Sequence, residues 1–254
     1  MLKQLKANGE AFKLVSTLLT KTIITETDIF YSVSSDSNLK LNELALIKSV
    51  KDYVIKNNIK AIAQRKNIRY IDKAILKNAT FKNDLYEIDL KSAYWNYAYK
   101  FKFISKDIYE RGNDTNKISK KARLIALGNL AKRSYEMEFN GSEFGKSEII
   151  ESDNTQDIFF KVSQKTDSVM TRLKLIAAKD YLFYWVDAVF VKSERAKNEI
   201  ENYLKQNRIE FKTVKIDKIL KTNGYIKVWD KAHKKPRPFM FESLKTVDLT
   251  SVID

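Results

Sequence analysis

Two aspartates lie in widely separated stretches of hydrophobic, strand-forming chain. Asp89 stands in residues 86–94 (YEIDLKSAY), and Asp187 stands in residues 183–191 (FYWVDAVFV). A carboxylate among residues that favour buried strands costs free energy unless it is paired or binds a cation. The pattern therefore predicts a fold that holds both carboxylates on rigid strands. Two such carboxylates suit a site at which two divalent cations assist phosphoryl transfer.

The composition is that of a folded, strongly basic protein. At 254 residues the chain is long enough to bury a sizeable core, as one large domain or two small ones. It carries 47 Lys and Arg against 32 Asp and Glu, and the resulting net charge of +15 predicts an anionic partner. A nucleic-acid backbone is the commonest such partner. The alternative is a lysine-rich composition that only keeps the protein in solution.

Missing residue types exclude several kinds of site. The absence of Cys excludes disulfides, thiol nucleophiles and thiolate zinc sites. The single histidine, His233, excludes a site that needs two imidazoles. None of the six Gly lies in a GxGxxG or GxxxxGKS/T pattern, which argues against a Rossmann or P-loop phosphate site. Without a long apolar run, the chain is expected to be soluble and cytoplasmic, with no membrane contact.

Hydrophobic periodicity and turn signals predict an α+β fold with an antiparallel sheet and packed helices. The predicted strands are residues 23–33, 86–90 and 181–191. The predicted helices are residues 14–19, 42–57, 118–135 and 193–207. Asn223-Gly224 separates two apolar runs and is the strongest hairpin signal in the chain.

The segment around Asp89 resembles the first motif of the family B DNA polymerases. That motif, in the palm domain, reads DxxSLYPS, and residues 89–96 read DLKSAYWN. Its Asp, Ser and Tyr correspond to Asp89, Ser92 and Tyr94, and Trp95 replaces the Pro. The resemblance implies that Ser92 and Tyr94 bind the nucleotide. Tyr94 would act as a steric gate that excludes a 2′-hydroxyl; the alternative is an ordinary core tyrosine.

The segment around Asp187 resembles the third motif of the same family, YxDTDS. Asp187 takes the place of the second, metal-binding Asp, and Trp185 stands where the first Asp would be. The resemblance implies that Asp89 and Asp187 are the catalytic carboxylates and that they bind two Mg²⁺ or Mn²⁺ ions. The backbone carbonyl of Leu90 would add a metal ligand. Since Mg²⁺ prefers carboxylates, phosphates and waters, two protein carboxylates suffice.

A weaker resemblance links residues 120–128 (KKARLIALG) to the second motif, KxxxNSxYG. It implies that Lys120, Lys121 and Arg123 clamp the nucleotide triphosphate. A solvated basic helix face explains these residues equally well. About thirty residues separate this segment from Asp89, which leaves room only for a reduced fingers region at about residues 100–140.

The lysines after Asp187 correspond to those that hold the primer–template in the family. The residues expected to bind nucleic acid in this way are Lys215, Lys218, Lys221, Tyr225 and Lys227. The expected organisation is an N-terminal mixed α/β segment at residues 1–79, a palm-like core at 80–235 and a C-terminal tail at 236–254.

These features predict a palm-like polymerase core of the kind found in phages and mobile elements. It would add deoxynucleotides to a DNA primer in a two-metal reaction, with accessory replication proteins as possible partners. The second interpretation is a palm that has lost catalysis and binds nucleic acid within a replication or packaging complex. The third is an unrelated basic α+β protein with chance motif matches.

Overall fold

The structure is a computed structural model that describes eight stretches of the chain. They are residues 1–16, 20–33, 39–63, 78–131, 133–145, 148–151, 155–222 and 225–240. No helix in these stretches is both long enough and apolar enough to cross a membrane.

The chain forms two compact units, each built from two separate segments. The first unit combines Met1–Ile68 with Tyr94–Gln164, and the second combines Arg69–Ala93 with Lys165–Asp254. Each unit contains one antiparallel sheet. The units are interleaved in sequence because each sheet takes strands from both of its segments.

The first unit contains a five-stranded sheet in the order β3-β2-β1-β5-β6. Its strands are β1 (Phe12–Ser16), β2 (Thr20–Ile24), β3 (Ile29–Val33), β5 (Arg133–Phe139) and β6 (Glu148–Glu151). Phe12 and Leu14 alternate with Lys13 along β1, and they pack with Leu5 and Phe139 in a small core. The alternation places one face of the sheet in the core, as expected for a half-buried strand.

Helices form the rest of the first unit. They are α1 (Leu2–Ala7), α2 (Leu41–Lys56), α3 (Ala93–Lys100), α4 (Lys106–Asn113) and α5 (Lys120–Gly128). The buried carboxylate of Glu43 in α2 accepts hydrogen bonds from the backbone N–H groups of Lys40, at 2.8 Å, and Ser119, at 2.9 Å. One side chain therefore satisfies orphan donors at the first turns of both α2 and α5.

The second unit contains a six-stranded sheet in the order β11-β10-β9-β4-β8-β7. Its strands are β4 (Ala79–Leu90), β7 (Tyr181–Trp185), β8 (Ala188–Val191), β9 (Phe211–Lys221), β10 (Tyr225–Asp230) and β11 (Arg237–Met240). Helix α6 (Gln156–Ala177) begins in the first unit and ends in the second, and α7 (Glu194–Gln206) follows β8.

Helix α7 has the start and the buried face that its sequence predicts. The hydroxyl of Ser193 accepts a hydrogen bond from the N–H of Ala196 at 3.1 Å, which is an N-cap. Ala196, Ile200 and Leu204 recur at helical spacing and are fully buried. Their periodicity gave a correct prediction of this helix.

The predicted α+β class with antiparallel sheets is confirmed. The strand at residues 86–90 is the buried end of β4, and the helix predicted at 42–57 is α2. The Asn223-Gly224 turn lies outside the described residues, but the strands on either side of it pair antiparallel.

Four local predictions are wrong. Residues 14–19 were predicted as helix, but Leu14 lies in β1, where pairing with β2 and β5 overrides a short apolar run that has no clear period. The basic helix predicted at 118–135 ends at Gly128, and β5 begins at Arg133. The single strands predicted at 23–33 and 181–191 are each a hairpin of two strands.

Gly112 in α4 allows close packing against a buried tryptophan. A Cβ at this position would lie 2.3 Å from the Trp95 ring, and Trp95 is 1% exposed. The indole N–H of Trp95 also donates to the carbonyl of Tyr109 at 3.2 Å, which limits its movement. We expect Gly112→Ala to destabilise the protein by about 2 kcal/mol, because overpacking exceeds the gain in helix propensity.

Gly128, the last residue of α5, provides the matched control, since a Cβ there meets no atom within 4 Å. Gly128→Ala is expected to be neutral, or stabilising by up to about 1 kcal/mol. Urea unfolding of both variants measures the difference. Equal free energies of unfolding for the two variants would contradict the packing explanation.

Candidate functional site

The two faces of the second sheet differ in what they bury. One face, called here the cluster face, carries Leu85, Phe183, Phe190, Ile216 and other members of a hydrophobic cluster. The opposite face, called here the helix face, contacts α6 and α7. On it, the Tyr184 hydroxyl donates to Asp167 of α6 at 2.8 Å, and the Thr213 hydroxyl donates to Glu201 of α7 at 2.7 Å.

Asp89 lies on the cluster face, near the end of the central strand β4. Its cross-strand partners are Ala188 of β8 and Lys212 of β9. Directly opposite residues share a face of a sheet, so Asp89 stands between a small buried residue and an exposed lysine. Asp89 is itself half-buried, and its neighbours Ile88 and Leu90 are buried on the helix face. Pairing on both sides therefore fixes its position.

Asp187 lies in the two-residue turn that joins β7 to β8. Trp185 and Ala188 pair on either side of the turn, and the N–H of Leu90 donates to the Asp187 carbonyl at 2.9 Å. Asp187 is half-buried, like Asp89. The turn is thus hydrogen-bonded to the end of β4, and the two aspartates lie at the same end of the sheet, Asp89 near the end of β4 and Asp187 in the neighbouring turn.

Backbone strain occurs beside both aspartates. Val186, in the turn before Asp187, has φ +54°, and Ser92, three residues after Asp89, has φ +47°. A β-branched residue in the left-handed region costs about 1–3 kcal/mol and persists only where its surroundings impose it. Positive φ also occurs at other non-glycine residues of the described chain, but Val186 is the β-branched one among them, so the turn before Asp187 is held by its surroundings.

The donor set at this end of the sheet suits a hard cation that brings further ligands of its own. No group of three or more His, Cys, Asp and Glu side chains gathers for metal binding within the described stretches. Mg²⁺ is commonly held by one or two carboxylates together with substrate phosphates and waters. Asp89 and Asp187 fit that requirement, whereas a structural zinc site would need four protein ligands.

A buried ionic network lies on the same face, two residues before Asp89. The Arg237 guanidinium donates to both carboxylate oxygens of Glu87, and its Nε donates to Asp230 at 2.9 Å. The ring Nδ1 of His233 lies 2.8 Å from the other oxygen of Asp230. Glu87 and Asp230 are 7% and 5% exposed. Since Arg237 occupies both oxygens of Glu87, this carboxylate is committed to the network.

The contacts of the network shift the pKa values of Asp230 and Arg237. Burial alone would raise the pKa of Asp230, but the hydrogen bond to His233 and the charge of Arg237 outweigh it and hold that pKa below its usual range. The hydrogen bond to Glu87 is the main reason why the pKa of Arg237 is raised. Asp230 and Arg237 are therefore both ionised at neutral pH.

The other residues of the first-motif segment lie in the turn and helix after β4. Ser92 is half-buried in the turn before α3. Tyr94 is 8% exposed in α3 and packs against Phe159, with ring centroids 6.0 Å apart. These contacts are those of a core tyrosine within the first unit, and the steric-gate role stays a prediction.

The predicted triphosphate clamp consists of two exposed lysines and one buried arginine. Lys120 and Lys121 are exposed at the start of α5. Arg123 is 9% exposed, and its guanidinium donates to the Gly112 carbonyl at 3.0 Å. Burial lowers the pKa of Arg123. A contact inside the fold thus accounts for Arg123 without a nucleotide, and the clamp stays a prediction.

The residues predicted to hold nucleic acid lie on both faces of the second sheet. Lys221 follows Ile219 by two residues on the cluster face, and it is 2% exposed. The remaining four, Lys215, Lys218, Tyr225 and Lys227, alternate with cluster-face residues and lie on the opposite face. Only Lys221 therefore shares the face that carries Asp89.

Sequence reasoning missed two residues on the cluster face. Lys212 is the direct neighbour of Asp89, and Arg237 contacts Glu87 across 150 residues of sequence. Lys212, Val214 and Ile216 stand at every second position of β9, so the sequence alone could have predicted that Lys212 lies on the same face as these apolar residues. No local pattern indicated the partner of Arg237, because strand pairing alone brings it to Glu87.

A scan of the chain against protein-family models found no match, and a search of curated proteins found no significant match.

Removal of Arg237 tests the ionic network. Arg237→Met keeps most of the side-chain length but removes the counter-charge of the buried Glu87 and leaves Asp230 only its contacts with Ala232 and His233, so we expect a loss of about 3 kcal/mol at pH 7. Because the folded-state pKa of Asp230 is depressed, its contribution is fully present above its unfolded pKa of about 4. That contribution disappears as the pH falls through the folded-state value, so the difference between Arg237→Met and wild type should shrink in acid.

Denaturant unfolding of both proteins at pH 7 and at low pH measures this dependence. Arg195→Met is the matched control, because Arg195 is half exposed and pairs with Asp180 at the surface. Surface ion pairs contribute little, so the control should lose less stability. A loss for Arg237→Met that is independent of pH would show that the network charges do not stabilise the fold.

Proposed function

We propose that this protein is a palm-like nucleotidyltransferase that adds deoxynucleotides to the 3′ end of a DNA primer. The observation that carries the proposal is the hydrogen-bonded contact between the end of β4 and the β7–β8 turn. In this contact the end of β4, which carries Asp89, is bonded to the turn that carries Asp187; these are the two residues that resemble the metal-binding aspartates of the family B DNA polymerases. The antiparallel sheet with two helices on one face supports the same proposal.

In this proposal Asp89 and Asp187 hold Mg²⁺ or Mn²⁺, with the Leu90 carbonyl as a further ligand. The ions supply Lewis-acid activation of the primer hydroxyl and charge neutralisation at the triphosphate. The protein contributes rigid positions for the two carboxylates, because Asp89 is paired on both sides and Asp187 lies in a strained tight turn. Rigid placement matters because small displacements of catalytic groups reduce rates strongly.

The proposed partners are a DNA primer–template and deoxynucleoside triphosphates, with accessory replication proteins. The net charge of +15 favours a polyanion. Lys212 adds an exposed cation directly opposite Asp89, where it would contact a substrate phosphate. The proposal places the protein in the cytoplasm, where deoxynucleotides are available; for a phage protein this is the host cytoplasm.

Primer extension on a primed DNA template with Mg²⁺ or Mn²⁺ tests the reaction. The wild-type protein should extend the primer, and Asp187→Asn or Asp89→Asn should reduce the rate at least about 100-fold, because each removes a charge that holds the metals. Asp217→Asn is the matched control, since it makes the same charge change at an exposed position in β9. It should extend like wild type.

Failure of the wild-type protein to extend the primer, with DNA binding retained in Asp187→Asn, would reject catalysis. That result would instead support the second interpretation, a palm that binds nucleic acid without a reaction. Circular dichroism of each variant must match that of wild type, so that a loss of rate cannot reflect unfolding.

Lys212 gives a second test of the same site. Lys212→Ala should raise the KM for the deoxynucleotide about tenfold, because it removes a charge-assisted hydrogen bond to phosphate, and Lys212→Arg should restore most of it. Lys192→Ala, at an exposed lysine just after β8, is the control and should leave KM unchanged. An unchanged KM in Lys212→Ala would remove Lys212 from the substrate site.

A further inference from the structure

We propose that the second unit binds single-stranded nucleic acid on the face of its sheet opposite Asp89. The surface, called here the lysine–aromatic patch, consists of Lys82, Lys218, Lys227, Tyr225 and Trp229. These residues lie on three neighbouring strands, β4, β9 and β10. The proposal goes beyond nucleotidyl transfer and does not depend on it, since neither aspartate takes part.

The position of the patch follows from strand register. Lys82 is the partner of Lys218, which in turn is the partner of Trp229. The adjacent row contains Phe81, Ile219 and Val228, which belong to or pack against the hydrophobic cluster on the other face. Because side chains alternate along a strand, the row with two lysines and a tryptophan must point away from the cluster.

The pairing of two lysines is the main indication of an anionic ligand. Lys82 and Lys218 are directly opposite each other on adjacent strands, and like charges in that position destabilise a sheet. Within the described stretches no carboxylate forms an ion pair with Lys82, Lys218 or Lys227. A phosphate between the lysines would relieve the repulsion. The lysine pair does not stabilise the sheet, so anion binding gives a reason for its presence.

The aromatic rings indicate which kind of anion binds. The Nζ of Lys218 lies 4.9 Å from the centroid of Trp229, and the Nζ of Lys227 lies 4.9 Å from the centroid of Tyr225. Both rings are half-buried, so part of each remains accessible. A lysine that moves onto a phosphate uncovers the ring beneath it, and an unpaired base can then stack on that ring.

This combination favours a single strand over a duplex. Lysines contact the phosphates of either form, but rings can stack only on bases that are not already stacked within a helix. Two lysine–ring pairs on adjacent strands provide two phosphate contacts and two stacking positions. The patch therefore suits a short run of unpaired nucleotides, such as the single-stranded part of a template.

Binding of a fluorescein-labelled oligothymidylate of about 16 nucleotides tests the proposal. The full-length protein is titrated in EDTA and fluorescence anisotropy is followed at several salt concentrations. Lys82→Gln/Lys218→Gln removes two phosphate contacts and should reduce the slope of log K against log salt by about 1.4. Trp229→Leu should weaken binding about tenfold, and Trp229→Phe, which keeps a ring, should retain most of the affinity.

The matched control is Lys179→Gln/Lys192→Gln, which makes the same change in net charge at two exposed lysines elsewhere in the unit. It should leave the salt slope unchanged. An equal loss in both double variants would mean that only net charge matters and would overturn the proposal. So would equal affinity for a duplex of the same length, or unchanged binding by Trp229→Leu.

Asp187→Asn should bind the oligonucleotide like wild type. Primer extension can therefore fail while the patch still binds, and the patch can fail while extension is retained. The two proposals are tested by separate variants on opposite faces of one sheet.

Discussion

Pairing of β4 on both of its edges is the interaction on which the second unit depends. This strand bonds to β9 on one side and to β8 on the other, and its residues Leu85 to Ile88 are buried in an unbroken run. Burial on both faces fixes the register strongly, because a slip of one residue would exchange the residues of the two faces. Such a slip would move Asp89 from the cluster face to the helix face and would place Leu90 on the cluster face. The position of the carboxylate therefore follows from the hydrophobic residues around it.

The cluster face combines apolar packing with a small number of charges that have defined partners. Glu87 and Asp230 are held by Arg237, which joins β11 and the end of β10 to the central strand. Asp89, two residues along from Glu87, lies between Ala188 and the exposed Lys212. Burial with a fixed counter-ion is typical of a structural pair, and partial exposure beside a strained turn is typical of a site that meets ligands. One strand thus carries both a structural and a candidate functional carboxylate.

The elements that were predicted correctly have strong periodic patterns, and those that were missed depend on pairing. Helix α7 has a serine cap and apolar residues at helical spacing, so its sequence alone was sufficient. Leu14 lies in a strand because β2 and β5 pair with β1 on both edges. The turn at Val186 and Asp187 contains no Gly or Asn, so the sequence did not indicate it. The positive φ of Val186 is imposed by the surrounding structure, not by local preference. The domain boundaries predicted from the sequence divide the chain into consecutive segments. Each of the two units is instead made of two separate segments, which strand pairing brings together.

The sequence by itself determined the α+β class, the basic surface charge and the two aspartates embedded in hydrophobic strands. These features depend on composition and on periodicity within short segments, so the sequence of each segment is enough to predict them. Tertiary structure alone decided that Lys212 faces Asp89, that Arg237 reaches Glu87 and that Lys218 and Lys221 lie on opposite faces of β9. Each of these depends on strand register and on irregularities in pairing, such as those between Lys82 and Leu85 and between Trp229 and Asp230. Register is a property of paired strands distant in sequence, so no single segment contains it.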